Sequence, residues 1–144
     1  MGAPARYSMN PMEISGTILL VDDEPLVRKN LTAILNAENF EVIEAVDGLD
    51  AVLKFQTYHY AISLVIMDIV MPRLNGIHAA NRIRDLDPST KFIFISGNTL
   101  QAPPEAMADA FLTKPIWARS LLAVIHRLLR EKKIAEGLSS AEGK

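Results

Sequence analysis

Thr17-Ile18-Leu19-Leu20-Val21-Asp22-Asp23-Glu24-Pro25 is the stretch that decides the fold. An unbroken apolar run of this length suits a strand with both faces buried, because neither face then meets water. Two acidic residues close it. Pro25 then supplies the fixed φ that suits the first turn of a helix. Val27, Leu31, Ile34 and Leu35 follow at helical spacing and form one apolar stripe. A buried strand therefore passes through an acidic turn into an amphipathic helix.

Read outward, the same unit repeats along the chain. Asn39 suits a left-handed stop, and a second strand is expected over residues 41–45. Asp47-Gly48 starts a second helix that turns Ala51, Val52 and Phe55 inward. A third strand over residues 64–67 runs directly into Asp68. The loop from Ile69 to Asn75 carries Pro72, and a third helix from Gly76 ends near Leu86, before Asp87-Pro88. A fourth strand over residues 91–95 ends at Ser96-Gly97, and a fifth over residues 110–113 is stopped by Lys114-Pro115. A last helix, over residues 118–134, buries Leu121, Leu122, Ile125, Leu128 and Leu129. Apolar strands alternating with amphipathic helices predict an α/β fold, a doubly wound parallel sheet with helices on both faces. The domain is expected over residues 16–135, between tails at 1–15 and 136–144.

The 144 residues suffice for one domain with a real core. A net charge of −2 gives no general attraction to nucleic acid or acidic membranes. The absence of cysteine removes disulfides, thiolate nucleophiles and zinc–thiolate sites, and fits a reducing cytoplasm. No signal peptide is expected, because residues 1–16 hold no apolar core run. The most apolar stretch is too short to span a bilayer, so no membrane association is expected. His59, His78 and His126 are scattered without metal-ligand spacing. His126, Arg127, Arg130, Lys132 and Lys133 read as a solvated cationic helix end rather than a nucleic-acid site.

In doubly wound sheets ligands bind beyond the carboxyl ends of the strands. Those ends carry Asp22-Asp23, Asp68, Ser96 and Lys114. Three crowded carboxylates repel one another unless a cation sits among them, and hard oxygens that retain water suit Mg2+. A carboxylate can attack phosphorus to give an aspartyl phosphate. Phosphoryl transfer then needs positioning and neutralisation, which Mg2+, the Lys114 ammonium, the Ser96 hydroxyl and backbone N–H groups can supply.

The segments Leu19-Leu20-Val21-Asp22-Asp23-Glu24, Asp68-Ile69-Val70-Met71-Pro72-Arg73-Leu74-Asn75-Gly76, Phe94-Ile95-Ser96-Gly97 and Phe111-Leu112-Thr113-Lys114-Pro115 resemble the receiver domains of two-component response regulators. The resemblance runs from about Gly16 to Ile134. It implies a flavodoxin-like strand order 2-1-3-4-5, with Asp68 as phosphoacceptor. Asp23 would ligate Mg2+ directly, Asp22 through water, and Val70 by its carbonyl. Ser96 and Lys114 would contact the phosphoryl group, and Phe111 would be the aromatic switch that responds to movement of Ser96. The chain would take its phosphoryl group from a histidine kinase or a histidine phosphotransfer protein and signal by protein contact, as a monomer or weak dimer. It would be no enzyme beyond its own phosphorylation and dephosphorylation. The alternative is a constitutive binding scaffold that keeps the fold without being phosphorylated.

One departure from the family bears on output, and two further positions bear on how long the phosphoryl group lasts. The stretch between Ser96 and Lys114 is short and contains Pro103-Pro104, which cannot lie inside a regular helix. The fourth helix is therefore expected to be displaced, cut to a turn or two after Pro104, or lost. Val70 and Asn98, two residues beyond Asp68 and Ser96, flank the path of attacking water in the family, and neither is an ionised base.

Overall fold

The alternation of strands and helices produces a five-stranded parallel sheet in the order β2-β1-β3-β4-β5. The structure is a computed structural model and describes residues 15–142, with side-chain surroundings through Gly137. Its elements are β1 (Thr17–Val21), α1 (Pro25–Ala37), β2 (Glu41–Ala45), α2 (Gly48–Tyr58), β3 (Ile62–Asp68), α3 (Gly76–Leu86), β4 (Phe92–Ser96), β5 (Ala110–Thr113) and α4 (Ala118–Glu142). The expected tail at residues 1–15 lies outside the described residues except for Ser15.

The two-residue period of the strands divides the core into two layers. Leu19, Val21, Val65, Met67, Phe92 and Phe94 face α2 and α3, where Ala51, Val52, Phe55, Ala79, Ala80 and Ile83 meet them. Ile18, Leu20, Leu64, Ile66, Ile93 and Ile95 face α1 and α4, against Leu31, Leu35, Leu121, Ile125 and Leu128. Each fully buried Leu, Ile or Phe contributes about 1.5–3 kcal/mol. Both layers together hold the carboxyl ends of β1, β3 and β4 side by side, with Val21 beside Met67 and Asp68 beside Ile95.

The last helix departs from the reading at its C-terminal end. It passes Ile134 and runs to Glu142, through the first part of the segment read as a tail. Helix-favouring Glu131, Lys132, Lys133, Ala135 and Glu136 carry it onward. The cations near its middle therefore do not mark a helix end. Lys132 instead donates through Nζ to the Ser63 carbonyl at 3.1 Å, and His126 meets Phe40 edge-on. Among the described residues no helix is long and apolar enough to cross a membrane.

The connection between β4 and β5 contains no α-helix. A single 3-10 turn, Thr99–Gln101, lies before the prolines rather than after them, and Met107 N–H closes a turn onto the Pro104 carbonyl. Arg84 of α3 takes over the task of fastening this segment. Its guanidinium donates to the carbonyls of Met107 and Thr90 and to Asp109 Oδ2 at 3.1 Å, and it stacks over the Phe92 ring at 4.7 Å. Asp109 Oδ2 in turn accepts from the Phe92 N–H at 2.8 Å. A charged network thus replaces the apolar face of a helix.

Candidate functional site

Asp22 and Asp23 follow β1 because the apolar run ends there, and the same logic puts Asp68 last in β3 and Ser96 last in β4. Lys114 follows β5, and its N–H donates to the Ser96 carbonyl at 2.8 Å. These residues meet at one rim. Carboxylate oxygens of Asp22, Asp23 and Asp68 all lie within 4.8 Å of one another. The Lys114 ammonium stands 3.0 Å from Asp22 Oδ2, 3.3 Å from Glu24 Oε1 and 3.4 Å from Asp68 Oδ2. Asp23, Glu24, Asp68, Ser96 and Lys114 line an open cleft of about 380 Å3, together with Val70, Asn98 and Gln101.

Burial and charge set the ionisation of the cluster. Asp22 has no solvent exposure and Asp68 only 4%. Desolvation pushes the Asp68 carboxyl up to about 6, the charges of Asp22 and Asp23 push the same way, and Lys114 opposes them. Asp22 is also raised by burial, against the Glu24 N–H and Lys114. Burial alone would depress the Lys114 ammonium, but the hydrogen bond to Asp22 and the charges of Asp22 and Asp68 hold it above the usual lysine range. One cation thus faces three acids, with Glu24 as a fourth at the edge.

The donor set fits a hard divalent cation. Asp22 Oδ1 accepts from the Glu24 N–H at 2.9 Å. Its Oδ2 is buried and stands 3.0 Å from the Lys114 ammonium, a cation that it shares with Glu24 and Asp68. A buried carboxylate oxygen that shares one cation with further acidic groups has the character of a ligand for Mg2+ or for its bound water.

The loop after Asp68 is held from two sides. Gly76 N–H donates to the Ile69 carbonyl at 2.8 Å, and Leu74 N–H donates to the Pro72 carbonyl at 2.8 Å across Arg73, whose φ is +66°. Such a positive-φ γ-turn is strained and persists only when its surroundings fix it. Asp47 does so. Its Oδ1 caps α2 through the Asp50 N–H at 2.8 Å, and its Oδ2 takes the Arg73 guanidinium at 2.6 Å. Burial raises the Asp47 carboxyl, but Arg73 and the backbone donors outweigh it and leave it below the usual range. A Cβ on Gly76 would stand 2.0 Å from the Asp68 carbonyl oxygen. Gly76→Ala should therefore cost about 1–3 kcal/mol in a urea melt, because the backbone of Asp68 itself must move.

Phe111 sits half-buried on edge strand β5 and packs, as Met107 and Ala108 do, against the layer under α2 and α3. Val70 lines the cleft with its side chain 55% exposed. The sequence reading missed Gln101, which accepts the Ser96 hydroxyl at 3.2 Å, and the Asp47–Arg73 pair. The capping position of Asp47 was legible; its long-range partner was not.

The family model for the response regulator receiver domain matches residues 18–126. A chemotaxis protein CheY from Treponema pallidum (strain Nichols) is 34% identical over 124 residues, covering 85% of this chain and 80% of that protein. The sensor kinase CckA of Brucella abortus (strain 2308) is 32% identical over 122 residues, covering 82% of this chain but only 13% of that kinase. A chain in the crystal structure of the CheX–CheY–BeF3–Mg2+ complex from Borrelia burgdorferi superposes with a TM-score of 0.71 at 30% identity, covering 78% of this chain and 88% of that one.

Proposed function

This chain belongs to the response regulator receiver domain family, and on that premise we propose that it is a phosphorylation switch with Asp68 as its acceptor. The observation that carries the reading is the meeting of Asp22, Asp23, Asp68, Ser96 and Lys114 around one cleft. In the reaction an Asp68 carboxylate oxygen forms the new bond to phosphorus as the donor's P–N bond breaks, and the electron pair leaves with the donor imidazole. Lys114 faces the incoming phosphoryl oxygens and offsets their charge. Ser96 supplies a hydroxyl hydrogen bond. Asp22, Asp23, Asp68 and the Val70 carbonyl would hold Mg2+, which adds charge neutralisation when bound. The donor is a histidine kinase or a histidine phosphotransfer protein, and the chain catalyses only its own phosphorylation and dephosphorylation. It works in the cytoplasm, as a monomer or weak dimer, by protein contact rather than on nucleic acid. A constitutive scaffold would have no use for a buried acid cluster, whose mutual repulsion destabilises the fold. Incubation with acetyl phosphate and Mg2+, followed by mass analysis, should place one phosphoryl group on Asp68; labelling at another residue would overturn the assignment.

Two further results are expected. Mg2+ binds the folded cluster and not the unfolded chain, so it should stabilise the protein by about 2.7 kcal/mol at a hundredfold excess over its dissociation constant. A melting temperature that stays flat through a millimolar Mg2+ titration would remove the metal from the scheme. The second concerns phosphoryl lifetime. Val70 offers attacking water no hydrogen bond, and Asn98 cannot act as an ionised base. Val70→Asn should therefore release phosphate faster than the wild type once donor is withdrawn; equal rates would contradict the argument.

A further inference from the structure

Ser96 is nearly fully buried, at 1% exposure, and among the described residues its hydroxyl hydrogen-bonds within its own loop. It donates to Gln101 Oε1 at 3.2 Å and accepts from the Asn98 N–H at 3.1 Å. Gln101 is held in turn by the 3-10 turn, where its N–H donates to the Asn98 carbonyl at 3.1 Å and Asn98 Oδ1 accepts from the Leu100 N–H at 2.9 Å. Gln101 also lines the cleft that contains Asp68 and Lys114.

A serine hydroxyl carries one proton and can donate only one hydrogen bond at full strength. A phosphoryl oxygen on Asp68 offers no proton, so it can engage Ser96 only by taking the donor that Gln101 now holds. We propose that Gln101 is a positioning residue that holds the Ser96 hydroxyl away from the acceptor and so sets the affinity of the site for a phosphoryl group. This rests on the reading of Asp68 as phosphoacceptor. The O···O distance is long for a hydroxyl donor, which makes the contact weak enough to exchange. The shortened β4–β5 connection is what places it, because the turn that carries Gln101 stands where a full helix would otherwise begin. Gln101 is exposed, so its side chain can withdraw into solvent once the hydroxyl turns.

The test uses the full chain with beryllofluoride and saturating Mg2+, read by calorimetry or by fluorescence of the single tryptophan, Trp117. Gln101→Met keeps the side-chain length and removes the acceptor. It should bind beryllofluoride about threefold tighter, as expected for one weak hydrogen bond no longer in competition. The metal-free variant should at the same time melt slightly lower, which a merely structural defect would not combine with tighter binding. In a Ser96→Ala background the same substitution should leave the affinity unchanged, because no hydroxyl remains to be held. Unchanged or weaker binding by Gln101→Met overturns the proposal, and so does an equal gain in both backgrounds. A wild type that takes up no beryllofluoride overturns the reading of Asp68 itself.

Discussion

Asp68→Asn should abolish phosphoryl uptake and, in metal-free buffer at neutral pH, make the protein more stable than the wild type. The first result follows from chemistry, since a carboxamide is no nucleophile toward phosphorus. The second follows from burial. The folded-state pKa of Asp68 stands at about 6, against an ordinary 3.8. Between those values the folded protein holds a proton that the unfolded chain has released. The protonated carboxyl's contribution to stability is therefore fully present below about pH 4. It is lost as the pH rises through 6, and above that the ionised group costs about 2–3 kcal/mol. Asparagine mimics the protonated form at every pH. The variant should melt about 8–10 °C higher at pH 7 for a domain of this size, and the gap should close on acidification to pH 4. Mg2+ should narrow it from the other side by stabilising the wild type more than the variant, which keeps Asp22 and Asp23 but loses one carboxylate. Equal melting temperatures at pH 7 without metal would mean that the acid cluster carries no such cost.

Arg84→Leu should unfold the segment between β4 and β5 that follows the prolines. The guanidinium fastens Met107, Thr90 and Asp109 to α3, and its removal leaves Asp109, with a side chain only 25% exposed, with Lys91 at 3.7 Å as its remaining cation. Breaking a largely buried charged network from one side costs about 3–4 kcal/mol. The leucine recovers little, since the carbonyls of Thr90 and Met107 lose their donor. A urea melt should show that loss, and hydrogen exchange should rise first at Met107 and Asp109. If Arg84→Leu matched the wild type within about 0.5 kcal/mol, the size of an ordinary surface change, the network would be incidental.

The placement of Gln101 links these effects to output. The 3-10 turn hangs from Ser96 at one end, and the segment after the prolines hangs from Arg84 at the other. Movement of Ser96 towards a phosphoryl group would therefore act on a short polar connection rather than a rigid apolar helix.

The sequence by itself determined the layers and the rim. The runs at 18–21 and 64–67 are apolar at every position, as a strand in a sheet covered on both faces requires, and the first polar residue after each run then lies at a strand end. Hence Asp22, Asp68, Ser96 and Lys114 were legible as a group. Pro103-Pro104 likewise excluded a regular helix through those two positions, and left open whether a shortened helix follows them or none. What only the tertiary structure decided were contacts between residues far apart in sequence. Arg84 lies 25 residues from Asp109, and Arg73 lies 26 from Asp47; an arginine on a helix face or in a loop reads as a solvated cation until its acid is placed. The same holds for the Asp22–Lys114 pair and for Gln101, whose amide meets Ser96 only because the turn forms before the prolines. Periodicity records which face of an element is dry. It holds no information on which polar side chains will share that dry space, because this depends on the angles at which the elements finally pack.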